Sequence, residues 1–142
     1  MQEVWAKGRE SLILDSNIFL RAVLENPLLG ERYPREGDVL VLVDTGYEGF
    51  MAVPEDVFKA LRLGELVTEE GEIVLPNKQV VATRATYAAV KVVEAGVVVE
   101  GLFETFEELD ELVAGQELLS SLRLVIDYCR GRVEVAACKQ PL

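Results

Sequence analysis

The tripeptide Asp44-Thr45-Gly46 is the part of the sequence best placed to carry chemistry. It directly follows the apolar run Val39–Val43, so a carboxylate lies at the end of a buried strand, where it costs free energy unless it is hydrogen-bonded or partnered. Gly46 supplies a backbone turn that other residues rarely adopt, and Gly49 follows in the same loop. The chain contains no histidine. Acid–base chemistry therefore has to come from carboxylates, Lys, Tyr or Cys.

The composition excludes several classes of function. Without histidine there is no Ser-His-Asp or Cys-His nucleophile and no HExxH zinc site. A net charge of -11 disfavours nucleic acid or an anionic membrane as the main partner. Two cysteines, Cys129 and Cys138, form neither a disulfide framework nor a zinc-ligand set, which predicts free thiols in an intracellular protein. We therefore expect no metal and no cofactor.

The length and hydrophobicity favour a single domain. The chain has 142 residues, half of them hydrophobic, which is enough to fill one core, and we assign residues 1–142 to one domain with residues 1–16 as an N-terminal extension. No apolar run approaches the roughly 18 residues of a membrane span. The start lacks the basic and apolar regions of a signal peptide. These features predict a soluble, cytoplasmic protein.

The elements that must position Asp44 are mostly strands. Alternation over 18–24 and the continuous β-branched run 39–43 each predict a strand. A short helix is expected from Pro54, with Gly64 as its stop. Further strands are expected over 72–75, over 80–93 after a turn at Pro76-Asn77-Lys78, and over 97–99.

The last third of the chain mixes two patterns. Residues 102–113 fit helical spacing, yet Leu102, Glu104 and Phe106 also alternate, and we favour a strand that ends in an acidic turn over 107–111. A helical patch is expected over 116–122. A final hairpin pairs 122–129 with 132–137 through a two-residue turn, Arg130-Gly131, which places Cys129 opposite Arg132 and Cys138 opposite Arg123. Many short strands with one or two short helices predict an all-β barrel or sandwich.

The run Val41-Leu42-Val43-Asp44-Thr45-Gly46, with Gly49 and the Pro54 helix after it, resembles the retroviral-type (retropepsin-like, clan AA) aspartic proteases, in particular their small single-domain prokaryotic relatives. A second hallmark of that family, an apolar pair before a glycine that opens a short helix, is matched by Val113-Ala114-Gly115. The resemblance extends over about residues 17–137 in the expected order. Ala114 replaces a bulkier residue, and no glycine-rich flap tip is visible.

The resemblance implies an acid-protease β-barrel that acts as a homodimeric aspartic endopeptidase on a peptide or protein substrate. Each subunit contributes one catalytic Asp44, and the two carboxylates share a proton and activate a water. Thr45 ties the two loops together across the dimer axis, and Gly46 lets the backbone approach the carboxylates. The hairpin at Pro76, Asn77 and Lys78 matches the position of the flap that covers an extended peptide. No metal is needed.

Other interpretations stay open at this stage. The main alternative is a non-catalytic dimeric peptide-binding module of the same fold, and a plain hairpin turn explains Asn77 at least as well as a flap does. Residues 12–20 resemble the opening strand of PIN-domain nucleases, whose first Asp, here Asp15, binds a divalent metal. The β-rich continuation disfavours that nuclease. We interpret Asp127 and the acidic residues between Glu104 and Glu111 as surface groups rather than as a cation site.

Overall fold

The fold consists almost entirely of short strands. The structure, a computed structural model, describes residues 4–5, 12–14 and 16–138. Within these ranges the chain forms twelve strands, two short α-helices and one 3₁₀ helix. In chain order they are β1 (Val4–Trp5), β2 (Leu12–Leu14), β3 (Asn17–Asn26), β4 (Glu31–Tyr33), β5 (Val39–Val43), β6 (Met51–Ala52), α1 (Glu55–Ala60), the 3₁₀ helix (Leu63–Glu65), β7 (Glu69–Val74), β8 (Val80–Val92), β9 (Val97–Thr105), β10 (Val113–Ala114), α2 (Gln116–Leu119), β11 (Leu122–Asp127) and β12 (Arg132–Ala137).

Strand β3 organises the sheet because different parts of it pair with different neighbours. Its first part pairs antiparallel with β5, its second part pairs antiparallel with β8, and its end also pairs with β4. The strand predicted from alternation is confirmed, and the four alternating residues Ile18, Leu20, Ala22 and Leu24 are all buried. Their burial on one face fixes the register, since a one-residue slip would turn them to solvent.

The strand order is β1-β2-β3-β5-β10-β6-β9-β8-β7, and β11 and β12 form a separate two-stranded sheet. Long antiparallel pairings join β7, β8 and β9. The sequence-based prediction of an all-β fold with one or two short helices is confirmed. Closure of the sheet as a barrel stays a prediction.

The core lies between the strands and the two helices. Its largest fully buried side chains include Leu20, Leu24, Phe58, Phe103 and Leu118. They come from β3, α1, β9 and α2, and burying each stabilises the fold by roughly 1.5–3 kcal/mol. The core therefore ties the α2 region, which follows the second predicted hallmark, to the strands that carry Asp44.

The helix at Pro54 forms, but it ends earlier than predicted. Pro54 occupies the N-cap position, acidic residues fill the first turn, and Val57 and Phe58 are buried. The helix stops at Ala60 rather than at Gly64, because Arg62 adopts a left-handed conformation (φ 56°) that no α-helix can continue. The Arg62 guanidinium then pairs with Glu65, and Gly64 lies inside the 3₁₀ helix.

The ambiguous segment resolves as predicted. Strand β9 continues to Thr105, and exposed acidic residues occupy the turn that leads to β10. The helical patch that follows is shorter than the predicted 116–122, since α2 covers only Gln116–Leu119 and β11 begins at Leu122.

The final hairpin exists, but its predicted register is wrong. Asp127 lies opposite Arg132, so four residues rather than two form the turn. The Asp127 carboxylate accepts hydrogen bonds from the backbone N–H and the guanidinium of Arg130, and these bonds end β11 before Cys129. Arg123 therefore faces Ala136, and the Cys138 N–H donates to the carbonyl of Ser121.

Both thiols, Cys129 and Cys138, are free and exposed, which agrees with the predicted free thiols. Asp127 is held by Arg130 at the end of the surface hairpin, which also agrees with its interpretation as a surface group.

Candidate active site

Asp44 lies immediately after β5, in a tight turn. Its side-chain Oδ1 accepts a hydrogen bond from the Gly46 N–H at 2.9 Å, and its carbonyl accepts one from the Tyr47 N–H at 3.2 Å. Asp44, Thr45 and Gly46 are all exposed. The carboxylate therefore reaches solvent at the end of an otherwise apolar strand, and its position is fixed by the backbone around it.

The second predicted hallmark lies beside this turn. Strand β10 inserts between β5 and β6, parallel to β5 and antiparallel to β6. The N–H of Leu42 donates to the carbonyl of Leu112, and the N–H of Asp44 donates to the carbonyl of Ala114. Two segments far apart in sequence thus form one unit, and β10 supplies the support for the Asp44 backbone.

Gly115 allows the two segments to approach closely. A Cβ at this position would lie 2.2 Å from the Gly49 carbonyl oxygen and 2.5 Å from Cδ2 of the Tyr47 ring, distances that no side chain accommodates. The N–H groups of residues 115–117 donate to the carbonyls of Phe50, Tyr47 and Gly49, in that order. Glycine is needed here for space, since the segment wraps directly over the loop that begins at Asp44.

Thr45 and Gly46 differ in how the fold uses them. The Thr45 carbonyl accepts a hydrogen bond from the Gln116 side-chain amide at 2.6 Å, which adds another link to the 115–117 turn. Gly46 has no positive φ, so the prediction that it supplies an unusual backbone conformation is wrong. Its role is spatial, because a Cβ at Gly46 would lie 3.2 Å from Oδ1 of Asp44 and crowd the carboxylate.

A groove of about 390 Å³ opens beside Asp44. Most of its lining is apolar, from Ala52, Phe106, Leu109 and Val113 on one side and from the end of the β7–β8 hairpin on the other. An apolar groove that contains one carboxylate can bind an apolar segment of a ligand and place an acid or a base beside it.

The end of the β7–β8 hairpin, which is the segment predicted as the flap, lines the groove. Pro76, Asn77 and Lys78 are all exposed, and of the three Pro76 lines the groove. The Lys78 N–H donates to the Leu75 carbonyl, and the Asn77 side chain accepts from the Gln79 N–H, so local bonds define the turn. Lys78 rather than a glycine adopts the left-handed conformation, with φ 69°.

Tyr47 and Glu104 form a contact that the sequence did not indicate. The Tyr47 hydroxyl donates to Oε1 of Glu104 at 2.6 Å, and both residues are half-buried. Burial raises the pKa of the Tyr47 hydroxyl, and the hydrogen bond to Glu104 and the charges of Glu104 and Glu117 raise it further. The sequence did offer one signal for this contact. Glu104 lies between Leu102 and Phe106 on one face of the predicted strand, and a carboxylate among apolar side chains needs a hydrogen-bond partner.

The raised pKa of Tyr47 predicts how its contribution to stability depends on pH. Removing the hydroxyl, as in Tyr47→Phe, should lower the free energy of unfolding by about 1 kcal/mol at pH 8. The unfolded chain releases this proton near pH 10 while the folded chain retains it. The stabilisation is therefore full below about pH 10 and is lost as pH rises further.

Urea unfolding of wild type and Tyr47→Phe at pH 8, 10 and 11 measures this effect. We expect the difference in their free energies of unfolding to narrow above pH 10. A difference that widens with pH contradicts the prediction.

Comparison with known proteins shows where the chain belongs. An uncharacterized protein of Archaeoglobus fulgidus is 40% identical over 119 residues, which cover 84% of this chain and 93% of that protein. The chain belongs to the same family as this archaeal protein. The crystal structure of a retropepsin-like aspartic protease from Rickettsia conorii matches with a TM-score of 0.53 and 17% sequence identity, over 96% of this chain and 94% of that one. This likeness shows the fold, which is retropepsin-like. No protein-family model matches the chain.

The other acidic residues of the retropepsin-like fold lie mainly at its surface. The turn before β10 contains four exposed acidic residues, as predicted: Glu107, Glu108, Asp110 and Glu111. For Glu104 the prediction of a surface group is wrong, because its half-buried carboxylate accepts the hydrogen bond from Tyr47. Within residues 4–5, 12–14 and 16–138, no group of three or more Cys, Asp or Glu is arranged to hold a metal ion. In the same ranges, no helix has both the length and the apolarity to cross a membrane.

Asp15, the residue behind the nuclease interpretation, lies outside the described residues. Its flanking segments form the antiparallel strands β2 and β3. The nuclease resemblance requires alternating helices and strands, and the all-β retropepsin-like fold is a different architecture.

Proposed function

We propose that the chain is one subunit of a homodimeric aspartic endopeptidase in which Asp44 of each copy forms half of the catalytic pair. One observation carries the proposal. An exposed carboxylate, fixed by the Gly46 N–H and by β10, lies in an apolar groove of a retropepsin-like fold. Neither histidine nor a metal is required for hydrolysis by two carboxylates.

A second copy of the chain completes the site. The chain contains one Asp-Thr-Gly tripeptide, and Asp44 and Thr45 are both exposed rather than packed against their own subunit. A two-fold axis beside this turn places two Asp44 carboxylates face to face and lets each Thr45 hydroxyl bond to the partner's loop. Gln116 bonds to the backbone carbonyl of Thr45, and the exposed Thr45 side chain contacts the partner in this proposal.

The chemistry follows from placing two like charges close together. The two carboxylates cannot both ionise easily, so they share one proton and titrate as a pair. The ionised carboxylate takes a proton from water, which attacks the peptide carbonyl carbon. The protonated carboxyl gives its proton to the carbonyl oxygen, which forms a tetrahedral gem-diol. The first carboxyl, now protonated, then gives its proton to the amide nitrogen as the C–N bond breaks, and a gem-diol hydroxyl returns a proton to the second carboxylate.

The substrate lies between Asp44 and the β7–β8 hairpin in this proposal. Residues 73–76 at the end of the hairpin line the groove together with Phe106 and Val113. An extended peptide fits this space with its backbone along the strands and its apolar side chains in the groove. The exposed tip at Asn77 and Lys78 is the part expected to move when a peptide enters.

Mixing subunits tests the shared site directly. Wild-type chain refolded with a fourfold excess of Asp44→Asn chain should lose about four-fifths of its activity per wild-type chain, because random pairing leaves few dimers with two Asp44 residues. Peptide cleavage is measured at constant wild-type concentration, and wild-type chain refolded with the same excess of an unrelated acidic protein is the control. Activity per wild-type chain that does not change with added variant contradicts a shared site.

A further inference from the structure

Tyr47 lies where four segments around Asp44 meet. Its N–H donates to the carbonyl of Asp44, and its own carbonyl accepts from the Gln116 N–H at 2.8 Å. Its ring covers two glycines, since a Cβ on Gly49 would lie 2.5 Å from the ring hydroxyl and a Cβ on Gly115 would lie 2.5 Å from Cδ2. The ring therefore fills the space that both glycines leave open.

The hydroxyl anchors this ring to the sheet. Glu104 is part of β9, and its backbone carbonyl accepts a hydrogen bond from the Val53 N–H after β6. The bond from Tyr47 to the Glu104 carboxylate is short, at 2.6 Å, and a bond to a charged acceptor is stronger than one to a neutral acceptor. Glu104 thus connects the Asp44 turn to β9 and, through the bond to Val53, to the segment after β6.

Tyr47 contributes to the lining of two cavities. One is the apolar groove that contains Asp44, and the other is a cavity of about 590 Å³ whose lining includes Glu48, Glu72, Glu104 and Glu117. Gly46, Ile73 and Val74 also line both. A shift of the ring would therefore change both cavities, and it would reach the Asp44 turn through the bond from the Tyr47 N–H to the Asp44 carbonyl.

We propose that Tyr47 is a positioning residue for Asp44 and that the Glu104 carboxylate is its anchor. The inference rests on the proposed function, because the kinetic test of positioning requires peptidase activity. The raised pKa of the Tyr47 hydroxyl agrees with this geometry, because it has the same two causes, burial of the phenol and its hydrogen bond to Glu104.

Kinetics of four variants test the pair. Tyr47→Phe keeps the ring and removes the donor, and Glu104→Ala removes the acceptor. Both should lower kcat by roughly 10- to 100-fold with a smaller change in KM, since a misplacement of about 1 Å costs up to about 10²-fold. The double variant should be no worse than either single one, because both remove the same bond. Glu104→Gln, whose amide oxygen still accepts, should restore most of kcat.

A matched control separates positioning from general stability. Tyr128→Phe makes the same change on an exposed residue of the final hairpin, and its kcat should stay within twofold of wild type. Tyr47→Phe with wild-type kcat, or Glu104→Gln as defective as Glu104→Ala, overturns the proposal. A purely structural role predicts lower thermal stability with unchanged kcat for the folded enzyme.

A second measurement works even if the protein cleaves no peptide. The ¹³C NMR signal of the Asp44 carboxyl, assigned with Asp44→Asn, should change its shift and its titration midpoint in Tyr47→Phe and not in Tyr128→Phe. If the wild-type protein hydrolyses no peptide but Tyr47→Phe still changes the Asp44 signal, the proposed function is overturned and the positioning role stands. An Asp44 signal that is identical in wild type and Tyr47→Phe overturns the positioning role.

Discussion

Replacing Asp44 by Asn should abolish peptide hydrolysis, with a loss of at least about a hundredfold in kcat, within the 10²–10⁴-fold range of a positioned acid–base group. The amide retains the size of the side chain and can still accept the Gly46 N–H, so the turn is preserved. It can neither take a proton from water nor share one with its partner. Cleavage of a mixed peptide library by purified protein between about pH 3 and pH 7 is the measurement, a range set around the ordinary carboxylate pKa values.

The chain offers a matched control in Asp127→Asn. Asp127 is also an aspartate at the end of a strand with a local backbone hydrogen bond, but it belongs to the surface hairpin and pairs with Arg130. The activity of Asp127→Asn should stay within about twofold of wild type, because loss of a surface ion pair costs little free energy of folding. Full cleavage by Asp44→Asn contradicts the mechanism. Tight binding of peptides without any cleavage by wild type would favour the non-catalytic peptide-binding module.

Replacing Gly115 by Ala should destabilise the whole fold, by about 1–3 kcal/mol or more. The added Cβ meets the Gly49 carbonyl at 2.2 Å and the Tyr47 carbonyl at 2.8 Å, and backbone atoms cannot rotate away as the end of a flexible side chain can. Relief requires β10 to withdraw from between β5 and β6, which breaks their hydrogen bonds. Urea unfolding monitored by circular dichroism measures the loss.

Gly64→Ala is the corresponding control for Gly115→Ala. Gly64 lies in the 3₁₀ helix without a positive φ, and a Cβ there would meet its nearest neighbour, an Arg84 guanidinium nitrogen, at an ordinary 3.8 Å. The substitution should be neutral or slightly stabilising, since alanine restricts the unfolded chain. Equal destabilisation by both variants would show that the close approach at Gly115 is not what limits the site.

The features that could be predicted from the sequence are those with local causes. Strand β5 was predicted with its observed bounds because five consecutive β-branched or leucine residues favour a buried strand, and the alternation in β3 gave its buried face. The acidic turn before β10 followed from charge that cannot be buried cheaply. The helix at Pro54 followed from proline and acids in its first turn.

The features that could not be predicted depend on partners far along the chain. Strand β10 is two residues long, too short for any period, and its insertion between β5 and β6 is a property of the assembled sheet. The Tyr47–Glu104 bond joins residues separated by 57 positions. The hairpin register was missed for a local reason, because the Asp127–Arg130 bonds end β11 two residues before the expected turn.

The insertion of β10 also has a consequence for biosynthesis. Until Leu112 and Ala114 have been translated, the N–H groups of Leu42 and Asp44 lack the carbonyls that fix them. At about 5–20 residues per second, the roughly 70 residues between Asp44 and Ala114 impose a delay of about 4–14 s. A nascent chain therefore carries its acidic tripeptide in an unassembled form for seconds. If the proposed chemistry holds, a ribosome-bound chain is inert towards neighbouring polypeptides at least until Ala114 has been translated and β10 can pair with β5.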